Sequence, residues 1–267
     1  MSKAGNSNYD RPAGTGRVTL VGAGPGAADL LTLRGQHVLS EADTVIYDDL
    51  VNRDILKWCR PDTTQIYVGK RAGQRCMQQQ QIGELLVREA LLSQHVVRLK
   101  GGDPLVFGRG GEEMAALAEA GIPFDIVPGV TAAVAAGAAA GVPLTLRGTA
   151  SAVIFVTGHE CADKQKGAID WAALARTGAT LCIYMGARRL PEIARALSEG
   201  GLAGSTPVAV VANATLPQQS VHQATLETAE SLSFILHGQP ALIIVGEVVR
   251  WAELSQAASG PQLLASA

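Results

Sequence analysis

VTLVGAGPGAADLLTLRGQHVLSEADTVIY, residues 18–47, decides the fold class. Val18 to Val21 is a short apolar run, Gly22-Ala-Gly-Pro-Gly26 breaks it, Asp29 to Ser40 has helix-like spacing, and Thr44 to Tyr47 is a second apolar run. Such a β-loop-α-β unit joins strands that run parallel, because a helical crossover returns the chain to the same end of the sheet. Outward from it the pattern repeats in Gln65 to Val68, the amphipathic Gln80 to Leu92, Val96 to Leu99, a helix over Glu112 to Ala120, and Phe124 to Val127. A second series follows in Ala152 to Thr157, Thr180 to Tyr184, a helix near Leu190 to Glu199, Val208 to Ala212, Thr225 to Leu236 and Ala241 to Val245. The expectation is α/β: two open, mainly parallel α/β/α domains, with the active site in the interdomain cleft where strand ends and loops converge.

The expected division is a disordered tail over 1–16, an N-terminal α/β domain over 17–131, a connecting helix or linker over 132–148, a C-terminal α/β domain over 149–254 and a loose tail over 255–267. A chain of 267 residues with 47% hydrophobic and 17% charged residues can bury two modest cores, which excludes wholesale disorder. A net charge of −2 offers no global attraction for nucleic acid or an anionic membrane, so the expected partner is small and any anion is met by a local basic cluster. The four cysteines, Cys59, Cys76, Cys161 and Cys182, form no C-x-x-C pair, so no metal site and no disulfide framework are expected, and a reducing cytoplasm fits. Met1 to Gly16 has no apolar core of a signal peptide. Ile126 to Leu146 is uncharged and long enough to span a bilayer, but its Ala and Gly contribute little insertion energy and Pro128 and Pro143 would interrupt a spanning helix. A buried, tightly packed helix is the better reading.

Several loops carry chemistry. The glycine loop after Val21 invites a dinucleotide reading, but the third glycine of that fingerprint falls on Ala27, and Pro25 removes an N–H donor; a plain tight turn is the alternative. Tyr47-Asp48-Asp49-Leu50 places two acids at the carboxyl edge of a parallel sheet, either for chemistry or as solvated loop acids. Val68-Gly-Lys70-Arg71, with Arg75, offers a carboxylate clamp or a solvated loop. Lys100-Gly-Gly-Asp-Pro104 followed by Phe107-Gly-Arg-Gly-Gly-Glu-Glu113 is the densest stretch, and a plain connector would not need it. Thr131 sits where a helix N-cap belongs, and Met185 by itself reads as core filler more readily than as a ligand contact.

Taken in order, VTLVGAGPG (18–26), DLLTLRG (29–35), VIYDDLV (45–51), VGKRAG (68–73), VVRLKGGDPLVFGRGGEE (96–113), VPGVTAA (127–133), AGVPLT (140–145), VTGH (156–159) and YMG (184–186) resemble the uroporphyrinogen-III C-methyltransferases, a branch of the tetrapyrrole methylases with a class III methyltransferase fold. The resemblance covers nearly all of Gly16 to Leu254. It implies S-adenosylmethionine as cofactor, S-adenosylhomocysteine as product, and methylation of uroporphyrinogen III at C2 and C7 to precorrin-2 by way of precorrin-1. Cofactor contacts would fall on Pro25, Gly101, Gly102, Asp103, Val106, Thr131, Ala132, Met185, Ala214, Pro240 and Ala241. Catalytic roles would fall on Asp48, Lys70 and Arg109, with Asp48 and Lys70 as proton acceptor and donor. Substrate contacts would fall on Arg71, Arg109, Glu112, Arg147 and Met185. The resemblance also implies a cytoplasmic homodimer, and a product that feeds sirohaem, cobalamin or haem d1 biosynthesis.

The chemistry is an in-line displacement, so alignment and exclusion of water matter most. The substrate's carboxylates need cations, and Lys70, Arg71, Arg75, Lys100, Arg109, Arg147, Arg188 and Arg189 are all expected on loops facing the cleft. The substrate must then lose a proton, for which Arg109 is a poor acceptor because an arginine pKa stays above about 12, and Asp48 the easier one. The chain departs from the family pattern at Thr145-Leu-Arg-Gly148, where T-H-R-D is usual, at Arg75-Cys76, where a histidine is common, and at Ala214, usually glycine. A related methyltransferase of a later corrinoid is one alternative; a nicotinamide-dependent oxidoreductase is another, weakened by Ala27 and by the lack of an acid at the ribose distance. No fused dehydrogenase or ferrochelatase fits this length, so those steps are expected from separate chains.

Overall fold

Among the described residues, the first half of the chain contains the strands and α-helices β1 (Arg17–Gly22), α1 (Leu33–Ser40), β2 (Thr44–Tyr47), β3 (Thr64–Tyr67), α2 (Gln79–Leu92), β4 (His95–Lys100), α3 (Gly110–Glu119) and β5 (Phe124–Val127). They come from a computed structural model that describes residues 16–69, 77–159, 169–232 and 238–252. The chain divides into two units, Met1–Thr131 and Ala132–Ala267.

In the first unit the strands lie in the order β3-β2-β4-β1-β5, and every pair is parallel. Side chains alternate across the sheet, so Val18, Leu20, Ile46 and Val96 pack with Leu86 of α2 and Leu117 of α3, while Val21, Val45, Val97 and Leu99 pack with Leu39 of α1. By the same alternation Arg98 and Lys100 share the face of Val96, under α2 and α3. The helix expected from Asp29 begins later: Ala28–Leu30 is a 3-10 turn, and α1 starts where the Thr32 hydroxyl accepts the Gly35 N–H at 3.0 Å.

The second unit contains α4 (Ala132–Ala140), β6 (Val153–Thr157), α5 (Trp171–Ala175), β7 (Thr180–Tyr184), α6 (Leu190–Glu199), β8 (Pro207–Ala212), β9 (Ser220–Thr225) and β10 (Ala241–Val245). Its sheet has the order β6-β7-β10-β8-β9. Here the expectation of a second mainly parallel sheet is corrected. Only β6 and β7 pair parallel, and β10 runs antiparallel to both β7 and β8, as does β9 to β8. The physical reason lies in the connections: β8 reaches β9 through the short turn 213–219 rather than through a helix, so the chain reverses. β9 has no apolar run, and the expected element Thr225 to Leu236 is instead the end of β9 and a 3-10 turn at Ala229–Leu232, with 233–237 outside the described residues. The uncharged Ala/Gly stretch forms α4, which packs on β8 and β10 with Ala133, Ala135, Ala136, Gly137 and Ala140 buried. No helix among the described residues is long and apolar enough to cross a membrane. The expected tails, 1–16 and 255–267, lie outside the described residues except for Gly16.

Candidate active site

A parallel sheet collects all its strand carboxyl ends on one edge, and in the first unit three glycine-bearing loops interlock there. Gly24 and Gly102 exchange backbone hydrogen bonds at 3.2 and 2.7 Å, and the Ala23 N–H donates to Lys100 O at 2.7 Å. A side chain on Gly22 would place its Cβ 2.5 Å from Gly129 N and 2.7 Å from Gly102 O, so the β1, β4 and β5 loops meet backbone to backbone. Asp103 ties two of them: its Oδ2 accepts the Gly129 N–H at 3.0 Å and its Oδ1 the Leu105 N–H at 2.9 Å. The β2 loop joins through Asn52, whose amide donates to Gly26 O at 2.8 Å. Of the sequence-derived cofactor positions, Pro25, Gly101, Gly102, Asp103 and Thr131 thus lie on these joined loops, with Val106 just beyond them. Phe107 and Arg109 hold left-handed backbone at φ 51° and 58°, a conformation that costs energy and gathers at ligand sites.

Beneath this edge, on the α2–α3 face, lies a buried ionic cluster. Arg98 donates Nε to Glu113 Oε1 at 3.0 Å and Nη2 to Asp48 Oδ2 at 2.9 Å. Lys100 Nζ donates to the same Glu113 oxygen at 3.0 Å, as does the Gln79 amide at 3.1 Å. Lys100 was expected on a cleft loop as a carboxylate clamp. Instead it ends β4, buried, because its position alternates in phase with Val96 and Arg98 and its charge is met by Glu113. Burial, and next the neighbouring Arg98, push the Lys100 ammonium below its ordinary pKa, against the pull of Glu113. Sequence reasoning missed Arg98 and Glu113. The signal for Arg98 was present: a charged residue within a central apolar strand run, two positions before Lys100.

Asp48, the acid favoured as base, is half-buried, and its Oδ1 accepts the Leu50 N–H in a long 3.3 Å bond. Asp49 accepts the Tyr67 hydroxyl instead. Arg109 and Glu112 face each other at the start of α3 in a bidentate pair, Nε–Oε1 and Nη2–Oε2 both at 2.8 Å and both exposed. Lys70, Arg71 and Arg75 lie outside the described residues.

In the second unit, antiparallel β10 between β7 and β8 brings its own start beside their ends: Leu242 pairs with Tyr184 and Ala241 with Ala212. Met185, Ala214, Pro240 and Ala241 therefore gather on one edge. Ala132 joins them, because the Ala133 N–H at the start of α4 donates to the Tyr184 hydroxyl at 3.0 Å. The loops are tied by the Asn213 amide to Gln239 Oε1 at 2.8 Å and by Asn213 N–H to Pro240 O at 2.9 Å. Met185, Asn213 and Thr215 all hold left-handed backbone, at φ 54°, 48° and 70°. Ala214 between them does not, so the alanine in place of the usual glycine meets no backbone restriction. Arg147 is exposed in a turn closed by Thr149 N–H to Leu146 O at 3.0 Å, whose next residue, Gly148, has φ 81°. The glycine standing where the family has aspartate is what such a turn demands. Arg189 pairs with Glu192 at 2.8 Å and with Gly158 O at 3.2 Å.

The family model for tetrapyrrole (corrin/porphyrin) methylases matches residues 17–230. The chain is 51% identical over 243 residues to the siroheme synthase of Baumannia cicadellinicola subsp. Homalodisca coagulata, covering 91% of this chain and 52% of that protein. It is likewise 51% identical over 234 residues to siroheme synthase 1 of Yersinia enterocolitica, covering 88% and 49%. The chain thus spans about half the length of the curated relatives it matches. Among solved structures, uroporphyrin-III C-methyl transferase from Thermus thermophilus, complexed with S-adenosyl homocysteine, is 42% identical with a TM-score of 0.75, covering 88% of this chain and 99% of that one. A cobalt precorrin-4 methyltransferase is 28% identical with a TM-score of 0.78, covering 87% and 95%.

Proposed function

The chain belongs to the tetrapyrrole (corrin/porphyrin) methylases, and from that premise we propose that it is an S-adenosylmethionine-dependent methyltransferase that converts uroporphyrinogen III to precorrin-2 by methylation at C2 and C7. The observation that carries this reading is the 42% identity, across 99% of its length, to the Thermus thermophilus uroporphyrin-III C-methyl transferase. At Gly22 and Gly129 a Cβ would strike backbone of the adjoining loops, so glycine there lets the β1, β4 and β5 loops that carry Pro25, Gly101 and Asp103 meet. The second unit's edge offers Met185 and Ala214 among left-handed neighbours; these are the edges on which the reading places the cofactor contacts. In this reading the cofactor contacts are Pro25, Gly101, Gly102, Asp103, Val106, Thr131, Ala132, Met185, Ala214, Pro240 and Ala241. Bound there, the cofactor supplies an electrophilic sulfonium methyl.

The protein's own work is to bind, align and deprotonate. Arg109 and Arg147, with Arg71, meet substrate carboxylates as planar forks, and Arg109 must exchange its Glu112 partner to do so. Asp48 takes the substrate proton at Oδ1, the oxygen that Arg98 leaves open, and Lys70 is the donor. Met185 and Glu112 shape the substrate side. The same reading takes the protein as a cytoplasmic homodimer; sedimentation velocity on the purified chain tests the dimer.

A second reading, methylation of a later corrinoid, is favoured by the TM-score of 0.78 to the cobalt precorrin-4 methyltransferase. Incubation with uroporphyrinogen III and S-adenosylmethionine separates the two: the main reading expects the absorbance of precorrin-2 or its oxidised form, and no such product overturns it. Stabilisation against heat by S-adenosylhomocysteine but not by NAD is expected, and the reverse would restore the nicotinamide reading.

A further inference from the structure

We infer that Arg98 is a positioning residue that fixes the carboxylate of Asp48 at the edge of the first sheet, and that Glu113 and Lys100 in turn fix Arg98. The inference rests on the proposed role of Asp48 as proton acceptor. Arg98 lies mid-strand in β4, and each of its guanidinium nitrogens is committed: Nε to Glu113 Oε1 at 3.0 Å, Nη2 to Asp48 Oδ2 at 2.9 Å, and Nη1 to Leu99 O at 3.0 Å and Ile46 O at 3.4 Å. A planar fork bonded in three directions cannot rotate, so Asp48 Oδ2 is held and Oδ1 keeps one direction.

Stability alone does not explain the cluster. Arg98, Lys100 and Glu113 side chains are 3%, 5% and 0% exposed, and a buried ion pair commonly holds a fold no better than apolar packing of the same volume. Apolar neighbours are at hand on that face, in Val96, Leu86 and Leu117. The charges balance, Arg98 and Lys100 against Asp48 and Glu113, and the member that reaches solvent is Asp48, with 28% of its side chain exposed. Glu113 gathers Arg98, Lys100 and Gln79 on Oε1 alone, leaving Oε2 with no partner among the described residues. The arrangement makes sense as a lever that aims Arg98 at Asp48.

The test is a double-mutant cycle on the full chain with Arg98→Lys, Asp48→Asn and the pair, reading kcat and KM for uroporphyrinogen III, S-adenosylhomocysteine affinity by calorimetry, and thermal unfolding. Lysine keeps the charge but cannot reach all three sites. Arg98→Lys is expected to lower kcat about tenfold or more, with KM and S-adenosylhomocysteine affinity held within about twofold. In the Asp48→Asn background the same change is expected to cost less than about twofold, because an intermediary has nothing left to act through. Equal factors in both backgrounds would mean a merely structural Arg98 and would overturn the inference. Full turnover by Asp48→Asn alone would overturn the proton-acceptor reading first, and the inference with it, so the two failures are told apart by that single variant. Should Arg98→Lys fail to fold, Glu113→Gln, which weakens the anchor of Arg98, enters the same cycle with the same expectation.

Discussion

The two sheet edges are furnished in opposite ways. The first unit gathers charge: its all-parallel sheet brings Asp48 from the end of β2, Lys100 from β4 and Glu113 from the first turn of α3 to one side, with Arg98 joining them. The second unit gathers shape: with β10 antiparallel to its neighbours, its edge presents Ala132, Ala214, Pro240 and Ala241, none of them charged, among left-handed residues at Met185, Asn213 and Thr215. Direction of pairing is the source of the difference. A strand end on a parallel sheet is followed by a loop into a helix, which can return a carboxylate to the same face, whereas an antiparallel neighbour brings in only the start of the next strand. In the proposed reaction the first edge carries the proton-handling groups beside its cofactor contacts, and the second edge carries cofactor contacts without charge.

The largest expected effect comes from breaking the charged side. Glu113→Ala leaves buried Arg98 and Lys100 facing Asp48 alone and is expected to cost about 3–5 kcal/mol. Urea unfolding measures it, and a loss below about 1 kcal/mol would mean that water reaches the cluster and the contrast between the edges is not one of burial. Gly129→Ala attacks the backbone nest of the same unit, where the new Cβ would press on Gly102 O and on Gly22. A cost of about 1–3 kcal/mol is expected, with weaker binding of S-adenosylhomocysteine; an unchanged melting temperature would show that the loops part freely. On the second edge, Tyr184→Phe keeps the ring that packs on Phe155 at 5.8 Å but removes the acceptor of the Ala133 N–H. About 1–2 kcal/mol is expected, the cost of one buried donor left alone, again by urea unfolding, and no loss would mean that α4 finds another cap.

Much of this architecture could be read from sequence because its signals are local. Apolar runs bounded by glycine and the dense loop from Lys100 to Glu113 are each contained within a few residues. What could not be read is non-local. The antiparallel course of β10 depends on which strands it meets, and β9, SVHQAT, is a half-exposed polar strand whose pairing with β8 gives it form. Lys100 resembled a loop cation because its buried partner is 13 residues further on, and Arg98 passed as part of an apolar run because its role needs Asp48, 50 residues earlier. Gly148 departs from the family's T-H-R-D pattern, and the turn at Arg147 explains it locally.

The mildest expected effect is a pH dependence confined to the first unit. His95 opens β4, is buried, and shares a hydrogen bond between its Nε2 and the Thr19 hydroxyl at 2.9 Å, so it couples β4 to β1. Burial, with the charge of Arg17 adding to it, holds the imidazole below its ordinary pKa, against the weaker pull of Glu41 and Asp43. The unfolded chain therefore binds more protons than the folded one between the lowered value and about 6.5, so stability rises with pH across that window and is lost as pH falls. Asp43, held below the ordinary carboxylate range chiefly by Arg60, loses its contribution only at lower pH and is silent here. Hydrogen exchange read by mass spectrometry between about pH 7.5 and 5.5, corrected for intrinsic rates, should show peptides of β1 and β4 opening more at the acid end while those of β8 and β10 hold. His95→Gln can keep a hydrogen bond to Thr19 but cannot titrate, so it should flatten the dependence. Opening of β8 and β10 ahead of β4 would place the acid-sensitive element in the second unit and reverse the contrast.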